Sequence, residues 1–478
     1  MAIFKIKRFD NPPLWLSALP VGLLLAALAA VIAIYGASSV QDYSYLILAS
    51  AALFCLALGA AFTRRSRAFL PGIAKSARQI MPAVPILIFI GTLSATWMLS
   101  GVVPLMIHYG LGVLDPSTFL FAACLTCSVI SVMTGSSWTT IATIGVAFMG
   151  VGSVMGYHPG WVAGAIISGA YFGDKVSPLS DTTVLAASTC GVPLLTHIRF
   201  LMLTSAPAML IALTAYLLVG LTSDPVSSTH AQEISRALAS TFNLSPWILV
   251  IPLLTMLLII MRAGTATTLA IGSLAGLAGI FIFQPAILDS LGGAGIGATL
   301  RILLSSTSVD TGSELLNPLV STGGAEGMLP TVWLVLAAML FGGAMLGTGM
   351  LGTLTRSITA RLRRTHSIIA TTTASGLFLN SCTGDQYLSI IIGGNIFRNT
   401  FRRMGIKPQA LSRTLEDSIS VTSVLIPWNS CGVTQSTVLG VATLVYLPFC
   451  LFNILSPVMT MVMACTGWRI HHPARVRS

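Results

Sequence analysis

Long apolar runs alternate with short polar breaks along most of this chain. Several runs reach about 20 residues, which is the length of a helix that crosses roughly 30 Å of hydrocarbon. In the first half the pattern predicts spans at about 14–35, 44–62 and 81–110, a hairpin at 117–152, and spans at 160–189 and 200–220. A polar external loop is predicted at 221–245. The second half predicts spans at about 246–262, 265–284 and 328–354, a hairpin at 368–397, and spans at 410–440 and 441–467.

The composition fixes the class of protein. Hydrophobic residues make up 54% of the chain and charged residues only 8%, and the mean hydropathy is +0.87. A soluble domain of this length carries far more charge. The prediction is therefore an all-α polytopic membrane protein in contact with the lipid bilayer, with transmembrane units at 1–220 and 246–478.

A polar run from Gly173 to Thr183 interrupts one of the apolar stretches and carries Asp174, Lys175 and Asp181. Pro178 cannot donate a backbone hydrogen bond, and the surrounding Gly, Ser and Thr residues weaken a helix. An ionised side chain in hydrocarbon costs at least about 2.5 to 3.5 kcal/mol, so such residues usually face a cavity or an ion pathway. We expect an unwound helix at mid-membrane depth, whose oxygen atoms suit a hard monovalent cation. A second broken helix is expected at 97–104.

The second half repeats landmarks of the first. The matched pairs lie 243 to 249 residues apart and are Met81 with Leu329, Met98 with Met345, Thr134 with Thr383, and Asp174 with Asp417. Each half would hold five spans and one re-entrant hairpin with broken helices. An odd number of crossings starts the second copy on the opposite face, so the pattern predicts an inverted-topology repeat.

The net charge of +11 reflects topology rather than a nucleic-acid partner. Basic residues near membrane spans collect on the cytoplasmic side. If alternate segments between the predicted spans are placed in the cytoplasm, they hold all but three of the 25 Lys and Arg residues. The three that lie elsewhere are Lys175, Arg236 and Arg301. The expected location is the cell inner membrane, with both termini in the cytoplasm.

Four polar clusters should converge near the midplane by symmetry, at 134–137, 173–183, 380–387 and 416–423. They hold all five acids that the pattern does not place in loops, namely Asp174, Asp181, Asp385, Glu416 and Asp417. Desolvation favours the neutral form of a buried carboxyl group, so near neutral pH such a group can hold either a proton or a sodium ion. We expect Asp174 and Asp181 to be the titrating pair and the Na⁺ ligands. The other candidate ion-binding or coupling residues are Ser177, Ser180, Thr182, Thr134, Ser136, Ser137, Asp385, Gln386, Glu416, Asp417 and Asn429.

Other roles remain open for the charged residues. Single acids among the candidates could serve only as helix caps or as partners of Lys175. Lys175 itself either locks one acid by pairing or carries the proton. The eight cysteines and seven histidines show no disulfide framework and no metal-ligand spacing, so neither a redox site nor a cofactor is expected.

Several motifs resemble the NhaC family of Na⁺/H⁺ antiporters. They are Gly169 to Thr183, Thr196 to Arg199, Gly384 to Ser389, Leu411 to Asp417 and Leu425 to Gly432. The resemblance implies an inner-membrane secondary transporter that exchanges Na⁺ for H⁺, and in some members an exchange that involves organic acids such as malate and lactate. The chain departs from the family pattern at Val184 and at Ile419-Ser420, which bears on the substrate more than on the fold.

Three alternatives to Na⁺/H⁺ exchange remain open from the residues. They are an organic-anion carrier of the same fold, an intramembrane enzyme and a channel. An enzyme is disfavoured because the sequence offers neither a nucleophile with a histidine base nor a metal-ligand pair. The acid-free spans at 14–35, 44–62, 246–262 and 265–283 would form an apolar frame or homodimer surface, against which the ion-binding part moves in an elevator-like manner.

Overall fold

The structure is a computed structural model that describes residues 9–36, 39–64, 66–223, 228–261, 263–309, 317, 320–359 and 365–467. The described part is almost entirely helical, and its only β-type pairs are the isolated bridges Phe9 with Thr63 and Thr307 with Thr322. Within these described residues, eight helices are long and apolar enough to cross a membrane, or up to 10 if each bent helix pair is one span. This confirms the predicted polytopic membrane class.

The first half of the chain contains eleven α-helices in its described part. They are α1 (Leu14–Tyr35), α2 (Val40–Phe62), α3 (Phe69–Ile80), α4 (Ala83–Leu99), α5 (Val102–Val113), α6 (Phe119–Thr134), α7 (Ser137–Thr140), α8 (Val146–Val154), α9 (Pro159–Val176), α10 (Asp181–Cys190) and α11 (Leu194–Thr222). A π-helical turn, Ile141–Gly145, joins α7 to α8.

The remaining helices follow from residue 228 onwards. They are α12 (Ser228–Thr241), α13 (Val250–Ile260), α14 (Thr265–Phe283), α15 (Pro285–Ser290), α16 (Ile296–Leu304), α17 (Leu329–Gly347), α18 (Met350–Thr359), α19 (Thr365–Thr383), α20 (Gln386–Arg403), α21 (Pro408–Leu415), α22 (Ser430–Leu439), α23 (Thr443–Tyr446) and α24 (Leu451–Thr466). A π-helical turn, Glu416–Ser420, follows α21.

Two of the predicted segments have a different structure. The predicted loop at 221–245 contains α12, because Leu238 and Phe242 lie one helical turn apart and are both buried. The predicted span at 410–440 is interrupted: it consists of α21, the π-helical turn Glu416–Ser420, a 3₁₀ turn at Ser423–Leu425 and α22. Like the span that contains Gly173 to Thr183, it is a broken helix. Three acids in the segments between predicted spans, Asp224, Asp310 and Glu314, lie outside the described residues.

Backbone landmarks of the two halves recur with a nearly constant spacing. Left-handed glycines end matching helices at Gly135 and Gly384, with φ of 67° and 66°, and at Gly191 and Gly440, with φ of 69° and 66°. The two members of each pair are 249 residues apart, and only glycine adopts such positive φ angles at little cost. The breaks between α4 and α5 and between α17 and α18 also correspond, at Gly101 and Gly349.

The same spacing corrects one of the predicted matches. The turn after α9, with Ser177 N donating to Asp174 O, is repeated by Ile426 N donating to Ser423 O. Asp174 therefore corresponds to Ser423, and the predicted match to Asp417 is wrong. The predicted match paired two acidic residues, whereas the equivalent positions of the two helix breaks are Asp174 and Ser423.

Helices of one half pack against helices of the other. α2 of the first half packs along α17 of the second, and α14 of the second packs along α4 of the first. The amphipathic α3 also lies against α17, where the position of a side chain on Gly72 would be only 2.6 Å from the Gly347 Cα. The α3 segment is thus held by close backbone contact with α17.

Candidate cation-binding site

The helix break that positions the first acids is held by side-chain hydrogen bonds. Ser177 donates its hydroxyl to the Val132 carbonyl over 2.8 Å and accepts from Leu179 N. Ser180 caps α10 by accepting from Thr183 N. The break predicted at Pro178 is present, and Ser177 serves to shape it rather than to line a cavity.

The two hairpin tips have the same construction. In the first, Thr134 accepts from Ser136 N over 3.1 Å and interacts with the Thr140 hydroxyl over 3.4 Å. In the second, Thr383 accepts from Asp385 N over 3.2 Å and interacts with the Ser389 hydroxyl over 2.7 Å. The residue that caps the second arm is a serine in one tip and an aspartate in the other, so the two tips differ in charge while sharing a backbone.

Asp174 joins the broken helix to the first hairpin tip. Its Oδ2 atom accepts from Ser137 N over 3.1 Å and from the Ser137 hydroxyl over 2.7 Å. Ser137 begins α7, so the carboxylate also lies at the positive end of a helical turn. This contact brings together two of the predicted clusters.

One pocket of about 240 Å³ collects three of the five predicted acids, Asp174, Asp181 and Asp385. Asp181 is exposed and interacts with the Tyr387 hydroxyl of the second tip. Asp385 is 3% exposed and also caps α20 by accepting from Leu388 N over 2.8 Å. Among the described residues, no lysine or arginine lines this pocket. The neutral lining groups of the pocket include Ser136, Ser180, Thr182, Gln386 and Ser430.

A second polar centre lies apart from that pocket. Lys175 is 2% exposed and forms an ion pair with Asp417, which is fully buried. Ser456 donates to the same carboxylate over 2.7 Å and Thr204 over 3.0 Å, and Thr460 donates to it as well. The carboxylate therefore has four donors from three helices, α9, α11 and α24.

The remaining predicted residues do not line the acidic pocket. Glu416 is fully buried, and both of its oxygen atoms lack a hydrogen-bond partner of normal geometry in the described part of the chain. Asn429 caps α22 by accepting from Cys431 N over 3.1 Å. The cluster that contains Glu416 and Asp417 nevertheless contacts two of the others: Asn380 Nδ2 donates to the Ile419 carbonyl over 2.6 Å, Ser423 donates to Gln386 over 3.3 Å, and Lys175 pairs with Asp417. The Glu416 and Asp417 carboxylates themselves lie outside the lining of the acidic pocket.

Some lining residues were not predicted. Trp138 and Tyr387 contribute aromatic groups to the pocket, and Pro82, Ala83 and Thr265 close it from α4 and α14. Tyr387 adjoins the predicted Gln386, so its position was open to inference from the sequence. The sequence does not single out the hydroxyl donors to Asp417, which are Ser456, Thr204 and Thr460, because hydroxyl residues are frequent in these helices.

A membrane bundle with broken helices, paired hairpin tips and a buried carboxylate pocket defines a secondary transporter of cations. The chain belongs to the Na⁺/H⁺ antiporter family, whose sequence profile matches residues 169–468. The predicted family is thereby confirmed.

The relatives of this chain are named as antiporters for different substrates. It is 36% identical over 421 residues to the Na⁺/H⁺ antiporter NhaC of Alkalihalophilus pseudofirmus, covering 86% of this chain and 89% of the relative. It is 35% identical to the arginine/ornithine antiporter ArcD of Halobacterium salinarum, covering 84% and 82%. It is 32% identical to the malate-2H⁺/Na⁺-lactate antiporter of Bacillus subtilis, covering 87% of each chain.

Proposed function

We propose that this protein exchanges Na⁺ for H⁺ across the cytoplasmic membrane and that both ions compete for the acidic pocket. The single observation that carries the proposal is the lining of that pocket by Asp174, Asp181 and Asp385, with no lysine or arginine among its described lining residues. Like charges that share a small site oppose each other's ionisation. Protons or a bound cation must therefore neutralise part of the charge.

Competition at one site gives coupling without a second pathway. The Ser137 contacts fix the orientation of Asp174, while hydroxyl and amide oxygens around it add neutral ligands. Oxygen donors of this kind suit hard cations such as Na⁺. When Na⁺ binds, the carboxyl groups release protons to the side that the pocket faces, and the reverse exchange follows after the site has reached the other side.

The topology is part of the same proposal. The recurring helix breaks and the packing of α2 and α14 against helices of the other half support an inverted repeat. Arg398, Arg402 and Arg403 follow the second hairpin, which supports cytoplasmic ends for it and opposite ends for the first. Both chain termini would then lie in the cytoplasm.

Organic substrates form a second candidate because of the names of two relatives. A carboxylate substrate would meet three acids and no base among the described lining residues, and Lys175 is engaged by Asp417. Organic-anion exchange is therefore disfavoured. An organic cation, as the name of the arginine/ornithine relative indicates for that protein, would match the charge of the pocket.

Substrate-induced proton release in proteoliposomes tests both candidates. Purified protein is given Na⁺, Li⁺, K⁺, arginine, ornithine, malate or lactate while a pH dye reports the lumen. We expect release with Na⁺ and no response with malate or lactate. A response to the organic acids alone, with none to Na⁺, would reject the proposed exchange.

A further inference from the structure

A second cavity of about 500 Å³ lies in line with the acidic pocket. On α4 the pocket is lined by Ala83 and Ile86, and the cavity by Ile90, Ser94 and Met98. These positions are three to four residues apart and so form one face of the helix. The helix face that begins in the pocket continues along the wall of the cavity.

Two other segments repeat this order. On the first hairpin, Trp138 lines the acidic pocket, and Ala142, Val146 and Met149 line the cavity. On α22 and the turn after it, Ser430 lines the pocket and residues 437–441 line the cavity. Three segments therefore run from one space to the other. The gap between the two spaces is four residues on α4 and on the first hairpin, or about 6 Å, and seven residues on α22, or about 10 Å.

A small apolar cluster lies at the level of this separation, because Leu87 falls between Ile86 of the pocket and Ile90 of the cavity on α4, and Trp138 precedes Ala142 on the first hairpin. Leu87 and Val335 are 0% and 1% exposed and form a cluster of their own, with Trp138, Val332 and Met339 packed against them. Leu87 on α4 and Val335 on α17 are 248 residues apart, which is the spacing of the glycine breaks in these two helices. Equivalent residues of the two halves thus meet between the two spaces, as expected at the centre of a pseudo-symmetric bundle.

The lining of the second cavity is largely apolar, with no ionisable side chain among its described residues. Hydroxyl residues are spread through it, namely Ser94, Ser153, Ser321, Thr322 and Thr437, together with several glycines. Neutral oxygen atoms can solvate a small cation without holding it strongly. Such a surface suits a passage more than a binding site.

We propose that the second cavity is the vestibule through which the hydrated cation reaches the outer face, and that the Leu87–Trp138–Val335 cluster is the barrier between it and the acidic pocket. The inference rests on the proposed function, because the acidic pocket is taken to hold the cation. The cavity is walled by the start of α9 and by residues 321–328, which the predicted topology places outside. The pocket adjoins Pro82 and Thr265, which it places near the inside.

Thiol accessibility in vesicles of known orientation tests the vestibule. Cys465 is the exposed cysteine of the described chain, so a Cys465→Ser protein provides the background. We expect Ser94→Cys to be labelled by an impermeant maleimide from the outside and Ala83→Cys from the inside only. Labelling of both from one side, or of Ser94→Cys from neither, would overturn the proposal.

The proposed barrier is tested by truncating one of its side chains and measuring whether a thiol in the acidic pocket becomes accessible from the outside. Leu87→Ala in the Ala83→Cys protein should make the introduced thiol reactive from the outside, whereas Leu93→Ala should not. Leu93 is a matched control because it is fully buried on the same helix but belongs to the main core. If neither Leu87→Ala nor Trp138→Ala gave outside labelling in folded protein, the cluster would not be the barrier. Labelling requires no exchange, so the vestibule could stand even if Na⁺ failed to drive proton release.

Discussion

Removal of one partner from the Lys175–Asp417 pair should destabilise the protein severely. In a Lys175→Met variant, Asp417 would remain 0% exposed with only hydroxyl donors. Loss of one member of a buried ion pair typically costs about 3–5 kcal/mol, because an uncompensated charge stays buried. We expect a loss of that size in the free energy of unfolding.

The double variant Lys175→Met, Asp417→Asn should recover part of that loss. The asparagine Oδ1 can accept from Ser456 and its Nδ2 can donate to the Thr204 hydroxyl, which contacts the other carboxylate oxygen in the parent protein, while no charge remains to be neutralised. Double-mutant cycles commonly resolve coupling energies of about 0.5–3 kcal/mol between contacting residues, and this pair should lie at the upper end. Unfolding in SDS, followed by tryptophan fluorescence in mixed micelles, provides the measurement.

An exposed ion pair gives the matched control. Arg64 and Asp10 are 3.9 Å apart with side chains 67% and 80% exposed, so Asp10→Asn should produce no measurable change. If the losses of the two single buried variants simply added in the double variant, the pair would not be coupled and the reasoning would be refuted. The folded double variant should also retain Na⁺-induced proton release, because neither residue lines the acidic pocket. Loss of that release would instead place the Lys175–Asp417 pair in the proton pathway.

Three further outcomes are expected from the site and the fold. Asp174→Asn should abolish Na⁺-induced proton release in proteoliposomes, because the amide keeps the shape of the side chain but cannot titrate. The variant should still elute as a folded species. Normal release would indicate that Asp385, rather than Asp174, couples the two ions. Gly384→Ala should destabilise more than Gly405→Ala in thermal unfolding: both glycines have φ of 66°, which costs about 1–2 kcal/mol for alanine, but of the two only at Gly384 would the new Cβ meet another atom, the Ala338 Cβ at 2.6 Å. A cysteine at Ser228 should react with an impermeant reagent from outside and cysteines at Ser367 and Asn399 should not; labelling of the last two from opposite sides would replace the hairpin by a full span.

The helix packing suggests a crosslinking test of the predicted elevator motion. α2 packs on α17, and α14 on α4, so the frame includes α4 and α17. The hairpins and α9 would then move along the α4 face that joins the pocket to the second cavity. A crosslink from α4 to the first hairpin should therefore form at different depths with and without Na⁺.

The sequence alone determined the membrane class, most helix positions and the breaks. Those features depend on local causes, namely the length of apolar runs and the backbone limits of proline and glycine. The break at Pro178 and the left-handed Gly135 and Gly384 follow directly from such rules. The polar tips at Ser136 and Asp385 could be recognised in the same way.

Only the tertiary structure decided which acids share a pocket. Asp174 and Lys175 are neighbours in sequence, but successive helical residues point about 100° apart. Asp174 therefore meets Ser137 of the hairpin tip, while Lys175 reaches Asp417 in the interior. Their separation depends on the rotation of α9 against helices far away in the chain, and no local pattern of residues records that rotation.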